Sequence, residues 1–251
     1  MTCTHRLRTM TAIKTNGRAR QEELGQFLTA VPTADFMASM FGPLPRVVRL
    51  LDAGAGAGAL TAAFVKHVCA SAGGVRVIEA TLYEVDSNIL DALHATMREC
   101  QSQCTAAGIT FTFAIHSTDF IEEMSARLAV DLFGTLPPAF DAAIANPPYR
   151  KISTDSSERR ALRSIGVETS NLYTGFIALI QRLLVPGGQL VGITPRSFCN
   201  GPYFRPFRED FLSQLELRRL HVFDSRQAAF REDSVLQENI IFHAVKGRIQ
   251  P

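Results

Sequence analysis

Val47-Val48-Arg49-Leu50-Leu51-Asp52-Ala53-Gly54-Ala55-Gly56-Ala57-Gly58 joins a short apolar run to a loop of alternating glycines. The run reads as a first, central strand, and Ala59 to Cys69, directly after the loop, carries helical periodicity. A strand, a tight glycine turn and a helix form the building unit of a parallel sheet covered by helices. The same alternation continues outward. Strand-like segments are predicted over 75–86, 109–115, 140–145, 189–194, 217–223 and 239–245, and helices over 88–104, 121–132, 172–184 and 204–215. Ser87 is the expected N-cap of the 88–104 helix, Gly108 its stop, and Pro186-Gly187-Gly188 the stop of the 172–184 helix. Residues 150–168 are polar and weakly periodic, either a long loop or a loop with a short helix. The prediction is an α/β protein: a doubly wound, mostly parallel seven-stranded sheet with helices on both faces. Ligands are expected at the carboxyl ends of its central strands.

The glycine loop limits the ligand. Glycines let the backbone turn sharply and approach a bound group, and the next helix offers free N–H groups. Gly54, Gly56 and Gly58 are spaced Gly-x-Gly-x-Gly, which is not the dinucleotide fingerprint. An acid at Asp52 would repel a pyrophosphate but suits a cation, such as the sulfonium and ammonium of S-adenosylmethionine. Glu84 ends the second strand 26 residues beyond Gly58, near the offset at which an acid takes ribose hydroxyls. Asp119-Phe120, after the third strand, could pair with an adenine amino group and cover the ring.

The other half of the site is Asp141-Ala142-Ala143-Ile144-Ala145-Asn146-Pro147-Pro148-Tyr149. Two prolines end a buried strand in a rigid, extended exit. An exocyclic amine on adenine is a poor nucleophile because its lone pair is delocalised into the ring. Two acceptors on its hydrogens, the Asn146 side-chain carbonyl and the Pro147 backbone carbonyl, would favour a pyramidal nitrogen able to attack a methyl group. Tyr149 offers a surface on which an extruded base could stack.

With the glycine loop preceding Asn-Pro-Pro-Tyr, the chain resembles the amino-methylating DNA methyltransferases of the N6-adenine, gamma type, the methylases of restriction-modification systems. Leu24-Gly25-Gln26-Phe27-Leu28-Thr29 is similar to that group's N-terminal cofactor motif, although Ala30 stands where the motif has proline. The resemblance implies a class I S-adenosylmethionine-dependent methyltransferase fold of Rossmann-like type. It further implies that Gln26, Phe27 and Thr29 contact the cofactor, Asp52, Gly54 and Gly56 hold its methionine part, Glu84 its ribose, and Asp119 with Phe120 its adenine. Arg196-Ser197-Phe198-Cys199-Asn200-Gly201-Pro202-Tyr203-Phe204 also resembles these enzymes. There an aromatic residue before an arginine-containing helix stacks on the flipped base, so Phe204 is expected in that role, with Tyr203 second.

The implied partner is double-stranded DNA with a flipped base. Residues 1–46 are expected to be a cofactor-motif segment packed on a catalytic domain over 47–251. The gamma type adds a target-recognition domain, which is not expected in this chain and would be missing or supplied separately. Competing functions are methylation of ribosomal RNA adenine, methylation of a protein glutamine amide, and a catalytically silent subunit. C5-cytosine chemistry is disfavoured because no cysteine follows a proline, and N4-cytosine chemistry because its motif usually begins with Ser.

Composition sets the remaining bounds. With 46% hydrophobic and 20% charged residues over 251, the chain reads as a folded enzyme. It has no apolar run long enough to span a bilayer and no secretory signal, so a cytoplasmic protein is expected. A net charge of +2 is weak support for nucleic-acid binding. Two basic groups stand out: Arg150, Lys151, Arg159, Arg160 and Arg163, then Arg196, Arg205 and Arg208. On charge alone these read as solvated loops rather than phosphate contacts. Cys100 and Cys104 share a helical face but lack ligand partners, and no metal is expected.

Overall fold

The computed structural model describes residues 29–71, 73–130, 139–223 and 239–247. Its strands are β1 (Val47–Ala53), β2 (Val77–Tyr83), β3 (Thr110–His116), β4 (Phe140–Ala145), β5 (Leu184–Pro195), β6 (Leu215–Val222) and β7 (Asn239–Lys246). Its helices are α1 (Val31–Ser39), α2 (Ala59–Ala70), α3 (Leu90–Ala106), α4 (Phe120–Val130), α5 (Ser157–Ser164), α6 (Leu172–Leu183) and α7 (Arg205–Gln214). The strands form one sheet in the order β3-β2-β1-β4-β5-β7-β6. β1 to β5 run parallel, and β7 is antiparallel to both of its neighbours. From β1 the chain winds first toward β3 and then back to β4 and beyond, so the direction of winding reverses between β1 and β4. In open sheets of this kind ligands bind at such a reversal, at the carboxyl ends of the strands.

Burial on both faces explains the continuous apolar strands. Val48 and Leu50 of β1 join Met37 of α1, Phe64 of α2 and Met97 of α3 in one core layer. Leu51 and Ala53 face the other layer, with Met124 of α4, Ile177 of α6 and Phe211 of α7. Full burial of a side chain such as Phe64 or Leu50, both 0% exposed, contributes about 2 kcal/mol. Glycine allows one close approach. Gly192 of β5 lies opposite Phe242 of β7, and a Cβ there would sit 2.8 Å from the Phe242 ring.

The expected doubly wound sheet is present, and β1 and β4 match their predicted bounds. Two local signals misled. β5 begins at Leu184 rather than Gln189: its register on β4 jumps from Phe140↔Leu184 to Ala142↔Gln189, so Pro186-Gly187-Gly188 sits in a bulge within the strand. A bulge tolerates both the missing proline N–H and the positive φ of Gly187. Ser87 is not the cap of α3, whose N-cap residue is Ile89. Instead the Asp86 carboxylate accepts from the backbone N–H (3.1 Å) and side-chain amide (2.8 Å) of Asn88, and this turn delays the helix. The 150–168 region contains α5, capped by Ser156, whose Oγ accepts the Arg159 N–H. Among the described residues, no helix is long and apolar enough to cross a membrane.

Candidate active site

The loop after β1 folds onto the end of β2. The N–H groups of Gly54 and Ala55 donate to the Tyr83 carbonyl at 3.0 and 2.8 Å. Gly54, Gly56 and Gly58 take φ values of 79°, 57° and 87°, a region costly for side chains. Gly58 is needed twice over, because a Cβ would lie 2.9 Å from Met97 Cε and 3.0 Å from Leu93 Cδ1 of α3. Around Gly56 a Cβ would meet nothing among the described residues within 4 Å. Glu84, 2% exposed, accepts the Gly56 N–H at 2.9 Å and the Asp86 N–H at 2.7 Å. It thus links the glycine loop to the end of β2.

Asp52 is fully buried, and Thr61 Oγ1 in the first turn of α2 donates to its Oδ2 at 2.7 Å. Its Oδ1 is buried and has no hydrogen-bond partner among the described residues. Burial drives this carboxyl up to about 7; the Thr61 hydrogen bonds oppose the rise and nearby Glu84 adds to it. An under-compensated acid beneath a glycine cradle fits a ligand carrying positive charge, as S-adenosylmethionine does.

β4 lies beside β1 in parallel register, with Asp52 opposite Ile144. Continuing that register brings Asn146 level with Gly54. Asn146 Nδ2 donates to Thr29 Oγ1 at 3.1 Å, and the Tyr149 hydroxyl donates to Asn146 Oδ1 at 2.9 Å. Pro147 is buried and Pro148 half-buried. Tyr149 is 8% exposed and set edge-on to Tyr173, at 6.3 Å and 86°. Its ring therefore belongs to the core here, and its hydroxyl is what reaches Asn146. Burial also pushes the phenol's pKa up, so it remains protonated and can donate.

Tyr173, at the start of α6, extends this aromatic row to Phe204 (6.0 Å, 43°), and Tyr203 stands edge-on to Phe204 at 4.9 Å. Phe204 is the N-cap residue of α7 and half-buried, whereas Tyr203 is 63% exposed. Arg208 fixes the approach to this pair by donating to the carbonyls of Phe198 (3.0 Å), Asn200 (3.1 Å) and Gly201 (2.7 Å).

Asp119 and Phe120 stand where β3 leads into α4. Asp119 Oδ1 accepts the Glu122 N–H at 2.9 Å at the start of α4, and burial raises its pKa. Phe120 is 2% exposed, packed between Tyr83 (5.2 Å) and Phe176 (5.1 Å). Gln26 and Phe27 lie outside the described residues. The basic groups are largely committed within the fold. Arg150 pairs with Glu158 (2.9 Å), Arg159 and Arg163 with Glu168 (3.1 and 2.7 Å), and Arg205 with Glu209 (2.8 Å). Cys100 and Cys104 are buried thiols pushed up to about 12 by desolvation. Among the described residues no group of three or more His, Cys, Asp or Glu side chains could hold a metal.

Sequence reasoning missed Thr61 and Tyr173. Thr61 stands in a position that reads simply as helix, nine residues from Asp52. Tyr173 becomes part of the site only because α6 packs under both the Asn146–Tyr149 exit and the loop before α7. Neither leaves a local signal.

The strand order, the glycine loop on β1 and the Asn-Pro-Pro-Tyr exit on β4 define the class I S-adenosylmethionine-dependent methyltransferase fold. The chain belongs to the Eco57I restriction-modification methylase family, whose model matches residues 83–230. It is 41% identical to the type II methyltransferase M.PstI of Providencia stuartii over 230 residues, 92% of this chain and 44% of that protein. It is 39% identical to M.BsuBI of Bacillus subtilis over 233 residues, 92% of this chain and 45% of that relative. The chain thus spans under half the length of these curated relatives. A type I restriction-modification methyltransferase subunit from Streptococcus thermophilus shares the fold, with a TM-score of 0.61 at 18% identity over 89% of this chain and 45% of that one.

Proposed function

We propose that this chain carries the methyl-transferring domain of a restriction-modification DNA methyltransferase that acts on the N6 amino group of adenine. The observation that carries the proposal is the placement of Asn146 at the end of β4, beside the β1 glycine loop, with hydroxyls engaging both polar atoms of its side-chain amide. Residues 1–46 supply a cofactor-motif segment and 47–251 the catalytic domain. Target reading is assigned to a further domain or partner, and the protein to the cytoplasm.

S-adenosylmethionine, when bound, supplies an electrophilic methyl group on a sulfonium. Gly54 and Gly56 would cradle its methionine part over Asp52, and Glu84 would take its ribose, exchanging backbone N–H partners for hydroxyls. Phe120 and Asp119 would border its adenine from the end of β3 and the start of α4, with Gln26 and Phe27 on the N-terminal side. Asn146 Oδ1 and the Pro147 carbonyl would accept the two amine hydrogens of a flipped adenine, which localises the lone pair on the nitrogen. The residues of the β4 exit would hold the amine nitrogen for methylation, and the proton it loses would pass to water. Phe204 supports the flipped base from the α7 side.

The test is transfer of labelled methyl from S-adenosylmethionine to duplex DNA, ribosomal RNA and a glutamine-bearing protein in parallel, with a relative's recognition portion added in one arm. Label in N6-methyladenine of DNA is the expected result; label confined to RNA or protein, or no label in any arm, would refute the proposal.

A further inference from the structure

The connection from α1 to β1 is tied at Gly42-Pro43 to Gln189 of β5, and through it to His243 of β7. The Gly42 N–H donates to Gln189 Oε1 at 2.7 Å, and Gln189 Nε2 donates to the Pro43 carbonyl at 2.9 Å. A backbone N–H only donates and a carbonyl only accepts, so these contacts leave the Gln189 amide one orientation. His243 Nε2 lies 2.9 Å from the same Oε1. That oxygen has no hydrogen to give, so Nε2 carries the proton of the neutral ring and Nδ1 is bare. Nδ1 is buried and has no hydrogen-bond partner among the described residues. A second proton would have to go there, placing a cation on a side chain that is 5% exposed. The charges acting on the ring oppose it further. Arg219, opposite His243 in the β6–β7 register, and Arg218, paired with Glu216 at 2.7 Å, are both cations. From β5 and the α1–β1 connection the neighbours are the uncharged Val191, Gln189 and Phe41. Burial first, and then the two arginines, hold the imidazole below its ordinary 6.5.

We propose that Gln189 and His243 form an acid-released clasp, which fastens the α1–β1 connection to the sheet at neutral pH and lets it go when His243 takes a second proton. The connection is not a strand, so lifting it hydrates the ring without breaking the β5–β7 ladder. Met37 and Ala38 of α1, both fully buried, lie just ahead of the clasp. Its release therefore loosens the hold on the segment that brings Thr29 to Asn146. The clasp does not depend on the methyl transfer proposed above. Its pH window follows from the two forms of the ring. Open, the imidazole titrates near 6.5; clasped, it titrates lower. The open form binds more protons below 6.5, so the clasp weakens as pH falls, by at most about tenfold per pH unit, and levels off below the pKa of the clasped ring.

Nitrogen NMR of the wild-type chain at pH 7.5 should show His243 protonated at Nε2 and bare at Nδ1. Protection of the Gly42 amide against hydrogen exchange, corrected for the intrinsic pH dependence of exchange, should fall about threefold to fivefold from pH 6.5 to pH 5.5. Amides of the β5–β7 ladder should change by less than about twofold, which separates release of the clasp from global unfolding. His243→Gln keeps an N–H for Gln189 Oε1 and has no ring to titrate. Its Gly42 protection should stay within about twofold across the same range. A proton on Nδ1 in place of Nε2, Gly42 protection unchanged in the wild type, a loss shared equally by the ladder, or an equal loss in His243→Gln would each overturn the clasp. Should His243→Gln fail to fold, the wild-type measurements decide alone.

Discussion

Replacing Asp52 by asparagine changes how stability depends on pH, and the size of the change follows from the carboxyl's surroundings. Asp52 is fully buried, and burial raises its pKa from the ordinary 3.8 to about 7. In the unfolded chain the group ionises near 3.8, whereas in the folded chain it holds its proton until about 7. Between those values the folded state binds more protons, so stability falls as pH rises and levels off above about 7. The full loss is about 4 kcal/mol, at roughly 1.4 kcal/mol per pH step, and from pH 5 to pH 8 it is about 3 kcal/mol. The asparagine of the Asp52→Asn variant cannot ionise, yet it still offers an oxygen to the Thr61 hydroxyl. Urea unfolding of both proteins at several pH values isolates this contribution, because all other titrating groups are shared. The stability of Asp52→Asn relative to wild type should rise by about 3 kcal/mol between pH 5 and pH 8. A difference constant to within about 0.5 kcal/mol, the usual scatter of additivity, would refute the reasoning. If a cationic ligand binds above Asp52, it should favour the ionised form and release protons just below neutral pH, seen by calorimetry in buffers of different ionisation enthalpy.

Gly192→Ala drives a methyl group into the Phe242 ring; a loss of about 1–3 kcal/mol is expected in chemical denaturation. Glu84→Ala leaves the N–H groups of Gly56 and Asp86 without their acceptor. It should weaken S-adenosylmethionine binding by about tenfold or more in calorimetry, the cost of one charged hydrogen bond. Arg208→Met frees the carbonyls of Phe198, Asn200 and Gly201. It should lower kcat/KM for DNA by about tenfold, with cofactor Kd unchanged, if the loop positions Phe204.

The parts of the fold legible in sequence are those with an abrupt local ending. β1 stops in glycines and β4 in two prolines, and an apolar run cut by such residues has little freedom in where it ends. The start of β5 is hidden because Pro186-Gly187-Gly188 is also a strong local stop, and only pairing with β4 shows that the strand passes through it as a bulge. Ser87 loses its capping position to the acid-rich turn formed by Glu84 and Asp86. At the site, Asn146, Asp52 and Glu84 are readable because their chemistry is tied to strand ends. The partners they bond or pack with are not. Thr61 bonds to Asp52, Thr29 bonds to Asn146, and Tyr173 joins Tyr149 to Phe204, each across a distance in the chain that no periodicity records.

The bond from Asn146 to Thr29 has a bearing on how the chain can be divided. A fragment cut at Val47 would keep every strand of the sheet. It would lose the hydroxyl on Nδ2 and with it α1, whose Met37 and Ala38 are fully buried. The border of the sheet and the border of the packed core therefore fall at different places, because α1, ahead of the first strand, shares the core of β1.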